Sequence, residues 1–185
     1  VAMERPGNFH ATRHGGFATV EAVFDGKTLS LLNQDAKTYA QVPLEGTIDT
    51  VIDTLRDEYS RPLPAADLLL TDVEGALMPL VTEVKDLGSG VIGGKECDHL
   101  AFRTEEVDWQ IWIAQGETPY PCRYTITSKS MPAAPEYTVT LSNWGAGSEA
   151  AEFTFTPPEG ATQVEPKDLP DFDDIAGIYK IEGAN

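Results

Sequence analysis

Positive charge is scarce in this sequence. Of its 185 residues, 13 are Lys or Arg and 30 are Asp or Glu, a formal net charge of −17. Phosphate contacts need a basic patch, so this balance argues against nucleic acid or an anionic membrane surface as a partner. Long apolar runs are missing as well. No stretch approaches the roughly 18 residues of a membrane-spanning helix, so no transmembrane segment is expected. Cysteine is rare: Cys97 and Cys122 stand alone. Two are too few for a disulfide-built mini-scaffold, and their spacing fits no zinc or redox motif. The nucleophile motif G-x-S-x-G is absent, and Ser30, Ser60 and Ser128 lack flanking signatures. With 30 carboxylates, close pairs must occur by chance, so a glycosidase-like pair has no support.

The sequence does have enough apolar and aromatic residues, at 41% and 9%, for one core. Its length suits one domain with a tail. Two readings follow: the protein is cytosolic, or a leader was removed and the sequence starts partway into its fold. Val1 to Arg5 reads as the end of a strand, which favours the second.

Residues 8–42 read as an antiparallel meander. Pro6-Gly7, Gly15-Gly16, Asp25-Gly26 and Asp35-Ala36-Lys37 are its turns, and Asp25-Gly26 is the strongest hairpin signal. The period then changes. After Thr47, a candidate N-cap, Ile48, Val51, Ile52, Leu55 and Tyr59 recur at helical spacing. Arg61-Pro62-Leu63-Pro64 ends that helix near Ser60. A second helix, capped by Asp72, carries Ala76, Leu77 and Leu80.

From Val81 the β pattern resumes, irregular and Gly-rich over Val84 to Ile92. Cys97 to Arg103 and Val107 to Ile113 form a hairpin about Glu105-Glu106. Its register sets Phe102 against Trp109, Leu100 against Ile111 and Arg103 against Asp108. Further strands follow at Cys122 to Thr127, Tyr137 to Asn143 and Phe153 to Thr156. Residues 166–185 are acidic and read as a tail, in which Ile175 to Ile181 could dock on the body or on a neighbouring chain. Strands, a helical insert and strands again predict one strongly bent antiparallel sheet with helices on one face, an α+β fold. A sheet that curls without closing leaves an apolar concavity under the helices.

The residues at this point resemble a known family. Arg5-Pro6-Gly7-Asn8-Phe9-His10, Phe24-Asp25-Gly26-Lys27-Thr28-Leu29 and Tyr39-Ala40-Gln41-Val42-Pro43 are similar to the outer-membrane lipoprotein carriers of LolA and LolB type. Cys97 to Arg103, with Val107 to Ile113, looks like one branch of that superfamily, described as a predicted periplasmic protein of unknown function. The resemblance covers about residues 5–160. It implies a LolA-like β half-barrel with a short helical lid on the concave face, a removed signal peptide and a periplasmic address. It further implies that residues 1–165 form one domain whose N-terminal helix and first strand precede Val1. Arg5 stands where the carriers' arginine ties the lid to the barrel.

The apolar pocket candidates are Phe24, Ile52, Leu55, Leu77, Leu100, Phe102, Trp109, Ile111 and Tyr124. Ile52, Leu55 and Leu77 would roof the pocket. Trp112 falls on the opposite face of the hairpin, with Asp108 and Gln110. Each aromatic ring also has the plainer role of filling a core. Cys97 and Cys122 are the disulfide candidate. The periplasmic address favours the bond, while two strand spacings of about 9.6 Å oppose it unless a bulge closes the gap.

His10 and His14 lie on a strand about 13 Å apart, too far to share a metal, and read as surface residues. His99 is expected beside Trp112. The Asp171, Asp173 and Asp174 cluster lacks the Gly and Glu of a calcium loop. No metal, cofactor or catalytic residue is therefore expected.

Three functions compete. The first is a non-catalytic periplasmic module holding a lipid or lipoprotein acyl chain, which predicts an apolar cavity between the sheet and residues 47–81. The second is an envelope sensor or protein-interaction module, which predicts a filled core and an exposed apolar patch or sheet edge. The third is a hydrolase with a dispersed site, which predicts perturbed titratable groups in a cleft.

Overall fold

The computed structural model describes residues 1–15, 18–58, 65–145 and 152–170. The chain divides into two compact units, residues 1–63 with 148–185, and residues 64–147.

The first unit is built on a six-stranded sheet. Strands β1 (Ala2–Glu4), β2 (Asn8–Gly15), β3 (Ala18–Phe24), β4 (Thr28–Asn33) and β5 (Thr38–Pro43) form the antiparallel meander that the turns predict. At the β3–β4 hairpin, Asp25 Oδ1 accepts from the Lys27 and Thr28 amides at 2.9 and 2.7 Å. Gly26 turns there with φ of +87°, a conformation open to Gly at little cost.

Helix α1 (Ile48–Asp57) shows why its sequence is helical. Thr47 and Thr50 form a reciprocal capping box, which satisfies amides that the first turn leaves orphaned. Ile48, Val51, Ile52 and Leu55 are buried on one stripe. At roughly 1.5–3 kcal/mol per buried aliphatic side chain, this stripe outweighs the propensity differences of the polar face. Three turns meet at the start of α1: the Ile48 amide donates to the Pro6 carbonyl at 2.9 Å, and the Gly46 amide to Gly26 at 3.2 Å.

The second unit holds a five-stranded antiparallel sheet in the order β10-β9-β8-β7-β6. Its strands are β6 (Glu83–Ile92), β7 (Lys95–Arg103), β8 (Val107–Ala114), β9 (Pro121–Ser128) and β10 (Glu136–Thr140). Before β6 come a 3₁₀ turn (Ala66–Leu69), helix α2 (Val73–Leu77) and a second 3₁₀ turn (Met78–Leu80). Asp72 caps α2 by accepting from the Gly75 amide at 2.8 Å.

The architecture is mainly β, and it departs from the expected single sheet. Strand β11 (Thr162–Gln163) pairs in parallel with β5. The Thr162 amide donates to Lys37 and the Val164 amide to Tyr39, at 2.9 and 2.8 Å. Strand β11 covers β5 at Thr38 and Tyr39, and the strands form two separate sheets. The helical insert is divided too: α1 belongs to the first unit, and residues 66–80 to the second.

One local reading gains its cause, and two change. Val84 to Ile92 is a strand, carrying a bulge between Asp86 and Ser89 that hides its alternation. Phe153 to Thr156 is not a strand; Phe155 instead packs on Tyr39, with ring centroids 5.6 Å apart. The expected tail begins docked. Pro166–Asp168 is a 3₁₀ turn, Leu169 is buried, and the Asn33 side-chain amide donates to the Pro170 carbonyl at 2.9 Å. Tyr59, the 61–64 breaker, the Asp171, Asp173 and Asp174 cluster and the 175–181 segment lie outside the described residues.

Candidate functional site

Strand pairing in the second unit builds one apolar sheet face. Phe102 pairs with Trp109 and Trp109 with Ile126; Leu100 pairs with Ile111 and Ile111 with Tyr124. Directly opposed residues share a face, so these six side chains lie on the same side. The hairpin register is the one read from the sequence. Phe102 and Trp109 stack with centroids 3.8 Å apart and planes 8° apart, and Tyr124 meets Trp109 edge-on at 5.8 Å.

Phe102, Trp109 and Tyr124 form the buried centre of this face. Ala65, Leu68, Leu77 and Val81 pack on it from the segment that precedes β6. Leu100, Val107, Ile111 and Ile126 surround it and remain half-buried. Burial pushes the Tyr124 phenol well above the usual tyrosine range, and the negative charge of Asp67 adds to the shift. The phenol therefore stays protonated at any physiological pH.

The cover over this face is thin. Helix α2 has five residues and buries none of them, and Met78 and Leu80 beside it are exposed at 39% and 62%. A helix this short gains little from its own hydrogen bonds and depends on the sheet beneath it.

The opposite face of the same sheet is polar. Arg103 lies between Glu83 at 3.1 Å and Asp108 at 3.6 Å, and Lys129 reaches Asp108 at 3.4 Å. All four are substantially exposed, so this ladder adds little stability. His99 stacks on Trp112 at 4.0 Å, as the register implies, and its Nε2 lies 2.8 Å from Gln110 Oε1. The Arg123 guanidinium lies 5.6 Å from the centre of the Trp112 ring. A groove of about 400 Å³ runs along this polar side, lined by Glu83, Lys85, Arg103, Asp108 and Gln110 among others.

The nine pocket candidates are thus divided. Leu77, Leu100, Phe102, Trp109, Ile111 and Tyr124 come together in the second unit. Phe24, Ile52 and Leu55 are buried in the first unit. The groove on the polar side touches Phe102 and Trp109 of the nine. Beside Arg5, the Pro6 carbonyl fastens the first residue of α1. His10 Nε2 lies 2.9 Å from Glu21 Oε1, and His14 is exposed.

Sequence reasoning missed Leu68 and Val81 in the cover, and Val84, Leu87 and Val91 along β6. Those three are exposed at 51%, 42% and 70% on the edge of the sheet. The β pattern from Val81 was visible, but the bulge breaks the alternation that would assign these residues to a face.

Cys97 and Cys122 are both free and buried, in one cluster with Ile92 and Ala114. Burial pushes the Cys97 thiol up, and the Cys122 thiol, hydrogen-bonded to it, adds to the rise.

No helix among the described residues is long and apolar enough to cross a membrane. No curated protein matches the sequence. Residues 1–166 match the family described as predicted periplasmic protein (DUF2092), which agrees with the address expected from the resemblance. The chain belongs to this predicted periplasmic protein family.

Proposed function

We propose that this protein is a non-catalytic periplasmic binding protein that holds a lipid or lipoprotein acyl chain between the second sheet and its short helical cover. The observation carrying this reading is the rim of half-buried Leu100, Val107, Ile111 and Ile126 around the Phe102, Trp109 and Tyr124 centre. Four aliphatic side chains left partly wet favour an apolar occupant, at about 25 cal/mol for each Å² removed from water. A cover anchored by few side chains could move aside at small cost. The kinship with the lipoprotein carriers and their half-barrel is part of this proposal. It rests on residues 5–10, 24–29 and 39–43. The high negative charge would keep the protein soluble while the cover is displaced.

Quenching of Trp109 tests the reading. With Trp112→Phe and Trp144→Phe, Trp109 is the sole tryptophan. Phospholipid bearing brominated acyl chains should quench it saturably, and Leu100→Glu should abolish the effect. Quenching that rises only linearly with lipid would refute the proposal.

The edge strand β6 favours a second reading, an interaction module. It is exposed along nearly its whole length and carries Val84, Leu87 and Val91. Such an edge is a template for added strands. On this reading Val84→Lys with Val91→Lys would remove a protein partner and leave lipid quenching unchanged.

A further inference from the structure

A bulge brings two cysteines from non-adjacent strands into one cluster. In a regular sheet Cys97 on β7 and Cys122 on β9 would stand two strand spacings apart, about 9.6 Å, with β8 between them. A disulfide needs Cα atoms within about 7 Å. The β8–β9 ladder is not regular there. Trp112 pairs with Arg123, but Ile113 pairs with Pro121, so Cys122 has no partner on β8. An extra residue of this kind bends its strand and turns its side chain out of the normal alternation. Cys97 pairs with Ala114, whose amide donates to the Tyr120 carbonyl at 2.9 Å. Ala114, a small side chain, belongs to the same buried cluster as both cysteines.

The surroundings suit a permanent cross-link. Ile92 and Ala114 complete the buried cluster, and Trp112 and Tyr120 pack against it. Beyond each other, the thiols also make long contacts with carbonyls two residues away, Cys97 with Lys95 at 3.4 Å and Cys122 with Tyr120 at 4.0 Å. Neither residue has a metal-binding set around it: among the described residues no three His, Cys, Asp or Glu side chains gather. A buried thiol pair in a protein of an oxidising compartment meets the conditions under which disulfides form and persist.

We propose that Cys97 and Cys122 are joined by a disulfide in the periplasmic protein, stapling β7 to β9 across β8. The oxidant is a protein disulfide of the thiol–disulfide exchange class. One cysteine thiolate attacks a sulfur of that disulfide, forming a mixed disulfide and releasing one oxidant thiol. The second cysteine attacks its partner's sulfur in the mixed disulfide, closing the Cys97–Cys122 bond and releasing the other oxidant thiol. Two protons leave the cysteines, and two electrons pass to the oxidant. Because both sulfurs are buried in the folded unit, exchange takes place while the unit folds or opens, and the closed bond is then shielded from reductant.

The test is alkylation of protein exported to a bacterial periplasm, denatured in iodoacetamide without reductant and weighed intact. No label is expected, rising to two after reduction. Cys97→Ser and Cys122→Ser should each take one label without reductant. Two labels on unreduced wild-type protein would overturn the proposal. So would zero labels accompanied by a dimer that disappears on a reducing gel, since that bond would be intermolecular. None of these outcomes depends on whether the apolar face binds lipid.

Discussion

The stacked Phe102–Trp109 pair offers a sharp test of the second unit's core. Both rings are nearly buried, at 8% and 6% exposure, with centroids 3.8 Å apart. Truncating Phe102 to Ala removes a buried ring at a cost of about 3–5 kcal/mol. The lower part of that range is expected, because half-buried Leu100 and Ile111 beside it can close on the space. Burial alone would give the same figure to any ring, so the stack needs a double-mutant cycle. Phe102→Leu, Trp109→Leu and the double variant keep apolar bulk and remove the ring pair. Ring pairs of this kind contribute about 0.5–1.5 kcal/mol beyond their area. The cycle, read from urea unfolding by circular dichroism, should give a coupling energy of about 1 kcal/mol. A coupling within about 0.3 kcal/mol of zero, the ordinary error of additivity, would refute the claim that this pair orders the face.

Other expectations follow from single groups. Gly46→Ala should destabilise the first unit by about 1–3 kcal/mol in chemical denaturation. Gly46 has φ of +155°, and a Cβ there would lie 2.6–2.9 Å from three atoms of the Thr50 side chain in the capping box. Tyr124 should make the protein sensitive to alkali. Its folded pKa is raised, so its contribution is complete below the ordinary tyrosine value of about 10 and is lost as pH rises from there toward the folded value. Tyr124→Phe should flatten that decline in stability curves from pH 9 to 11.5, and an unchanged slope would remove Tyr124 from the account. Reduction of the Cys97–Cys122 bond should cost about 3.5 kcal/mol from loop-closure entropy, seen as a lower melting temperature with reductant in the wild type and no shift in Cys97→Ser.

The parts of the fold that were legible in the sequence depend on local pattern. Asp25-Gly26 fixes a hairpin through hydrogen bonds to its own neighbours. The register of Leu100, Phe102, Trp109 and Ile111 follows from alternation on two strands joined by a short turn. Helix α1 follows from its cap and its apolar stripe. What was hidden depends on distant partners. Two residues, Thr162 and Gln163, occupy an edge of β5, and nothing in so short a segment announces that. The bulge in β6 breaks the period by which a strand is recognised. The bulge at Cys122 was conceivable from Pro119-Tyr120-Pro121 but not determined by it. The nine pocket residues were identified by their apolar character, which marks burial well. It does not say which of two cores a residue enters, and so Phe24 and Phe102 were placed in one pocket.

The central claim is an apolar occupant on the second sheet. Native mass spectrometry of the mature protein, purified from a periplasm and then incubated with envelope phospholipids, tests it most directly. One adduct of lipid mass per chain is expected, lost in a Leu100→Glu variant whose circular dichroism matches that of the wild type. A bare chain mass in the wild type, before and after incubation, would contradict it.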